Sequence, residues 1–272
     1  MNTLKSFKKV MDDLPSADIA PVLFIGHGSP MNAIEQNEYN RSWAELGTKL
    51  PKPKAILTIS AHWLTRDTCV TAMERPKTIH DFGGFPQALF DQQYPAPGAP
   101  DFAALTQKLV TTTNIQSDLE WGLDHGTWSF LLPMYPQADI PVYQLSLDYY
   151  KPMRYHYELA LELRELRKKG VMIVGSGNIV HNLRMMNFLG KPYDWATEFD
   201  EKIKSYLQNQ NHEGIIQYDQ LGTLAKLAVP THDHYLPLLY AIAQQDKDEP
   251  LTFFNEKTEM GSVSMRSFIL SR

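Results

Sequence analysis

The sequence predicts a single α/β domain whose central sheet is largely parallel or mixed and is flanked by helices. Three observations predict it. Apolar runs recur at residues 22–25, 55–59 (broken only by Thr58) and 171–174, and short runs of this kind belong to strands buried on both faces. Segments of helical periodicity separate those runs, as parallel strands need crossovers between them. A histidine also follows each run: His27, His62 and, after Gly175-Ser176-Gly177, His181. Open sheets of this class bind ligands beyond the carboxyl ends of their strands, so a site is expected there.

The elements follow in order. Residues 1–19 read as a polar, partly helical lead-in. The first strand, 22–25, lies between Pro21 and Gly26, with His27 in the loop that follows. A helical pattern over 32–50 ends at Pro51, and the second strand, 55–59, leads to His62. Residues 71–99 are rich in Gly, Pro and aromatics and read as a long loop with one short helix; ordered loops of this length usually serve a function. Helices are expected over 101–112 and from Gly126 to about Met134, and a third strand over 141–148. A long amphipathic helix, 152–169, stops at Gly170. The fourth strand, 171–174, is followed by Gly175-Ser176-Gly177, read as a tight turn, and then by His181. Helices over 194–209 and 214–228 precede His232 and His234, which stand at the mouth of a helix beginning near Tyr235. Two strands joined by a polar turn close the chain.

With 272 residues and 43% hydrophobic content, the chain is long enough for one sizeable core. It contains no internal repeat, linker or low-complexity segment, so 1–272 is read as one catalytic domain. The net charge is −5 and no stripe of Lys and Arg is present, which argues against a nucleic-acid partner. No apolar run approaches the roughly 20 residues of a bilayer span, and no leader pattern opens the chain, so no membrane association is expected. The lone Cys69 excludes an intrachain disulfide and fits a reducing, cytoplasmic setting. Nothing in the sequence fixes the oligomeric state.

Histidine is the commonest protein metal ligand and also titrates near neutral pH. Several imidazoles meeting at one strand-end cleft could bind a metal, move protons, or both. Competing chemistries lack their motifs: there is no Cys-x-x-Cys, His-Glu-x-x-His, Gly-x-Ser-x-Gly or Walker sequence.

Six blocks carry a resemblance in order: Gly-His-Gly-Ser-Pro (26–30), Ser-Ala-His-Trp (60–63), Ile-His-Asp-Phe-Gly-Gly-Phe-Pro (79–86), Asp-His-Gly (124–126), Ser-Gly-Asn-Ile-Val-His-Asn (176–182) and His-Tyr-Leu-Pro-Leu-Leu-Tyr (234–240). Together, from about Pro21 to Met265, they resemble the class III extradiol ring-cleavage dioxygenases, and more narrowly the DOPA 4,5-dioxygenase branch. The resemblance implies an enzyme that opens a catechol ring beside its two hydroxyls with O₂, on one divalent metal per chain. Fe(II) is expected for catalysis and Zn(II) as the metal found. His27 and His62 are the implied strand-end ligands. His234 is the implied third, with Asp233 the alternative, since the wider superfamily places a carboxylate there. His181 matches the acid–base histidine and is alternatively a fourth ligand. His125 matches a histidine that orients substrate or oxygen.

The 79–86 loop, with His80, Phe82 and Phe85, is expected to lid the site. His156 and His212 read as surface residues. The substrate class is a catechol with a small polar arm such as DOPA, in preference to a polycyclic diol. Arg184 is a candidate partner for a carboxylate on that arm, the alternative being a solvated helix charge. Two other functions remain open: a zinc hydrolase on the same ligands, and a metal-binding relative without activity.

Overall fold

The structure is a computed structural model that describes residues 19–188 and 191–271. Apart from Ile19, the expected lead-in lies outside the described residues. Six strands form the main sheet: β1 Val22–Gly26, β2 Ala55–Ser60, β3 Val142–Gln144, β4 Val171–Gly177, β5 Leu251–Phe254 and β6 Ser267–Leu270. Their spatial order is β3-β2-β4-β1-β6-β5. The first four are parallel, with Leu57 opposite both Tyr143 and Ile173, and Phe24 opposite Gly175. The last two run antiparallel, Leu23 pairing with Ile269 and Phe253 with Phe268. The sheet is therefore mixed, with its parallel part holding the ends on which the site stands.

Alternate residues of each strand enter opposite cores. Val22, Phe24, Leu57 and Ile173 face one cluster, which takes in Leu159, Phe199 and Leu239 from helices Met153–Glu162, Asp194–Gln208 and Leu236–Ile242. Leu23, Ile25, Ile56 and Met172 face the other, with Trp43 and Trp128 from helices Glu38–Lys49 and His125–Met134. Burial on both faces is why these strands are apolar at consecutive positions rather than alternate ones.

The structure corrects several expected elements. Gly175-Ser176-Gly177 is not a turn but the end of β4. A Cβ at Gly175 would lie 2.2 Å from the Pro237 carbonyl oxygen, and one at Gly177 would lie 2.1 Å from that of His234. These glycines let helix Leu236–Ile242 lie directly on the strand. The expected 214–228 helix is three short pieces, His212–Ile216, Tyr218–Leu221 and Thr223–Ala228, the last break falling at Gly222 with φ 62°. The 32–50 pattern resolves into a 3-10 turn, Pro30–Ala33, and helix Glu38–Lys49, whose start is capped by the Asn37 side chain. The 152–169 helix divides at Leu163. The third expected strand splits, Leu147–Asp148 leaving the main sheet to pair with Leu64–Thr65. Among the described residues no helix is long and apolar enough to cross a membrane.

Candidate functional site

The parallel strand ends deliver the histidines. His27 is the first residue after β1, and its N–H donates to the Gly177 carbonyl at 3.1 Å. His62 stands two residues beyond β2. His181 lies four residues beyond β4, where its N–H donates to the Ala228 carbonyl at 2.9 Å. His234 precedes helix Leu236–Ile242, and its carbonyl accepts from Asn178 N–H at 2.8 Å. His125 opens helix His125–Met134, whose N-cap Asp124 accepts from Thr127 N–H at 3.2 Å. That helix can reach the strand end because residue 126 is glycine: a Cβ there would come within 2.4 Å of Ser60 Oγ and 2.9 Å of the His62 ring. All five histidines line one cavity of about 400 Å³.

Within it, one ligand atom from each of His27, His62 and His234 lies within 4.8 Å of the others. His27 Nε2 and His62 Nε2 are 3.2 Å apart. The far side of each ring is engaged. His27 Nδ1 is 3.0 Å from Ser176 Oγ, whose own hydroxyl donates to the Gly126 carbonyl at 2.5 Å. Ser176 Oγ is therefore the acceptor, and His27 carries its proton on Nδ1. His62 Nδ1 faces the Asp81 carboxylate at 3.3 Å, and His234 Nδ1 contacts that of Asp233. A carboxylate accepts only, so these rings are Nδ1–H tautomers too, and the network rather than any observed hydrogen fixes this.

Three Nε2 lone pairs then converge. Two bare acceptors at 3.2 Å repel each other unless a cation lies between them. Ligands about 2.1 Å from one metal stand about 3.0–3.4 Å apart at octahedral or tetrahedral angles, so the spacing fits a divalent ion. Tethering of the second ring nitrogen to an acceptor is likewise how metal-binding imidazoles are held.

Electrostatics reinforce neutrality. Burial, then the neighbouring His234, His125 and His181, hold His27 well below the usual histidine range. Burial and the same kind of crowding do so for His62, with His125 the largest neighbour contribution. His181 is lowered to about 2, by burial first and then by His234, on which its ring stacks at 3.5 Å. It is thus a neutral imidazole. Burial raises Asp81, but its contacts with His125 outweigh this and keep it ionised. Asp233 is held low as the hydrogen bond from His234 overcomes its burial.

Asp81 was not singled out by the sequence reading, although it lies inside the 79–86 block. Its Oδ1 is 3.0 Å from His125 Nδ1 and accepts from His125 N–H at 2.9 Å, while its Oδ2 faces His62. Asp124 was also missed as a support: it accepts from Ser60 at 2.6 Å and from Gln144 at 2.7 Å beneath the histidines. Phe82 and Phe85 of the expected lid do line the cavity, whereas His80 braces the loop from outside it, 2.9 Å from the Gln92 carbonyl. Arg184 is exposed and lies outside the lining. Asp233 contacts His234 Nδ1 and lies outside the three-histidine group, but with His181 and His234 it forms a second set whose ligand atoms also lie within 4.8 Å of one another. The surface reading of His156 is corrected. Helix Met153–Glu162 turns it into the core, where it is fully buried and 3.0 Å from the Tyr240 hydroxyl. His212 is half-buried between the Tyr157 hydroxyl and Gln245.

Residues 21–266 match the family described as the catalytic LigB subunit of aromatic ring-opening dioxygenase. Among curated proteins, the chain is 51% identical over 265 residues to the extradiol 4,5-DOPA dioxygenase of Escherichia coli (strain K12), covering 95% of this chain and 97% of that one. It is 36% identical over 265 residues to the Beta vulgaris protein of the same description, covering 92% and 96%. A crystal structure of an uncharacterized protein from Escherichia coli K12 superposes with a TM-score of 0.82 at 45% identity, covering 93% of this chain and 100% of that one.

Proposed function

The chain belongs to the aromatic ring-opening dioxygenase family of the catalytic LigB subunit, and from that premise we propose that it is an extradiol dioxygenase acting on DOPA-like catechols. The observation that carries the reading is the convergence of three imidazole lone pairs in one cavity, each ring tethered through Nδ1. We assign His27, His62 and His234 as ligands of one divalent metal, Fe(II) in the active enzyme. The curated relatives, named as extradiol 4,5-DOPA dioxygenases, support the substrate class.

In the reaction, the carbon–carbon bond beside the diol breaks and both atoms of O₂ enter the product, which carries one aldehyde and one carboxylate. Bound Fe(II) would supply open positions for the catecholate and O₂ and a route for electrons to pass from the catechol to O₂. The chain supplies the rest. A catechol must lose protons to chelate, and neutral His181 at the cavity wall is the base that takes one. It stacks on His234 and lines the same cavity as the three proposed ligands. His125, fixed by Asp81 and 3.9 Å from the His62 ring centroid, orients substrate or oxygen. Phe82 and Phe85 line the cavity and limit water there. The described fold is read as one catalytic domain, and the single Cys69 supports a reducing, cytoplasmic setting.

Anaerobic Fe(II) loading followed by O₂ tests the reading. One O₂ consumed per catechol, with the absorbance of a conjugated ring-opened product, is the expected result. Absence of turnover for every catechol tried, with iron confirmed in the site, would remove it.

A further inference from the structure

Beyond the histidines and Ser29, the side chains that line the cavity are apolar. Phe82, Phe85, Leu183, Met186, Phe188 and Met260 form its outer wall. No Lys, Arg, Asp or Glu lines it among the described residues. The mouth is also where exposed apolar surface collects. Leu183 and Phe188 are 50% and 75% exposed, and with Met186 they make up half of the large hydrophobic side chains exposed among the described residues. All three stand on one short segment around the 3-10 turn Leu183–Met185, next to His181. Apolar surface gathered in one place marks a binding surface, and here it is continuous with the cavity.

We propose that this rim selects catechols bearing an uncharged, apolar substituent, so that such compounds bind better than the zwitterionic DOPA. The proposal rests on the ring-opening reading, which places the diol at the histidines, and adds what the rest of the cavity recognises. A volume of about 400 Å³ exceeds what one diol ring fills, so the substituent lies against the outer wall. An ammonium or carboxylate there meets no charged group in the cavity lining and keeps its water, adding little to affinity. A methylene there leaves water for Phe188, Met186 and Leu183, and each one buried strengthens binding by about three- to fourfold.

The test uses two forms of the full chain. Zn(II), which has no redox chemistry, allows calorimetric titration without turnover; Fe(II) gives kcat/KM. Both are read with catechol, 4-methylcatechol, 4-propylcatechol and DOPA. The expected result is a stepwise gain along the alkyl series, with 4-propylcatechol at least about tenfold better than DOPA. In the double variant Met186→Ser with Phe188→Ser, both exposed positions, that ratio should fall toward one. DOPA binding as tightly as 4-propylcatechol, or a ratio unmoved by the double variant, would overturn the proposal. If no catechol is cleaved by the iron form, the ring-opening reading fails instead, and the zinc titration still decides what the rim prefers.

Discussion

Asp81 ties two imidazoles of the site to one loop, its carboxylate 3.3 Å from His62 Nδ1 and 3.0 Å from His125 Nδ1. It holds His62 in the tautomer that exposes Nε2. Asp81→Asn should therefore weaken metal binding by about 10–100-fold, measured by competition with a chelator; an unchanged affinity would make Asp81 a loop anchor only. His181 is expected to behave differently. His181→Ala should retain the metal and lose about 10²–10⁴-fold in ring cleavage under saturating Fe(II). Activity within about threefold of the parent would make His181 structural, and loss of the metal would make it chiefly a ligand. The five histidines were legible because apolar runs place His27 and His62 at strand ends and the ordered blocks bring in the others. Asp81 and Ser176 were not, since their roles arise from pairing with rings on other elements, which no local pattern records. His156 was misread for a related reason. Its helix carries Arg154 and Glu158 outward, but His156 falls on the stripe with Leu159 and Ala160 that packs inward.

At the scale of elements, the buried strands were legible and the helices were legible mainly as regions. A continuous apolar run defines a strand whatever surrounds it, while helix ends depend on local contacts, as the breaks at Leu163 and Gly222 show. The clearest misreading, a turn at 175–177, came from treating glycine as a signal of bending. Here glycine signals close approach, because the Pro237 carbonyl of helix Leu236–Ile242 and the His234 carbonyl just before it press against β4. That contact places His234, so Gly177→Ala should disturb both fold and site. Overpacking of this kind costs about 1–3 kcal/mol, a fall of several degrees in Tm, and metal affinity should drop with it. Gly83→Ala is the control, because a Cβ there meets nothing within 4 Å. Equal Tm and equal metal affinity in the two variants would show that the strand and helix can part without consequence, and that the glycines do not set the position of His234.

At the scale of the whole molecule, the α/β class and the placing of His27, His62 and His181 after parallel strands were readable, but the antiparallel edge was not. The final strands, Leu251–Phe254 and Ser267–Leu270, show no sign in sequence of which neighbour they join or in which direction; only the completed sheet decides that β6 lies against β1. The enclosed core this creates has a consequence for stability against pH. His156 is fully buried in it, and its pKa is lowered to about 4, by burial first and then by His232. An unfolded chain would protonate this ring near pH 6.5. The folded pKa lies below the unfolded one, so the unfolded state binds the extra proton first as pH falls. The stability linked to a neutral His156 is complete above about pH 6.5 and is lost progressively as pH drops toward about 4, by about 3 kcal/mol in all. His156→Gln keeps a polar partner for Tyr240 but cannot titrate. It should be less stable than the parent at pH 7.5, where packing alone is compared, yet lose less stability between pH 6.5 and 4.5. Urea midpoints across that range, taken with metal removed from both proteins, measure the difference. Parallel curves for parent and variant would show that His156 is protonated alike in the folded and unfolded chain, and that the acid sensitivity of the fold lies elsewhere.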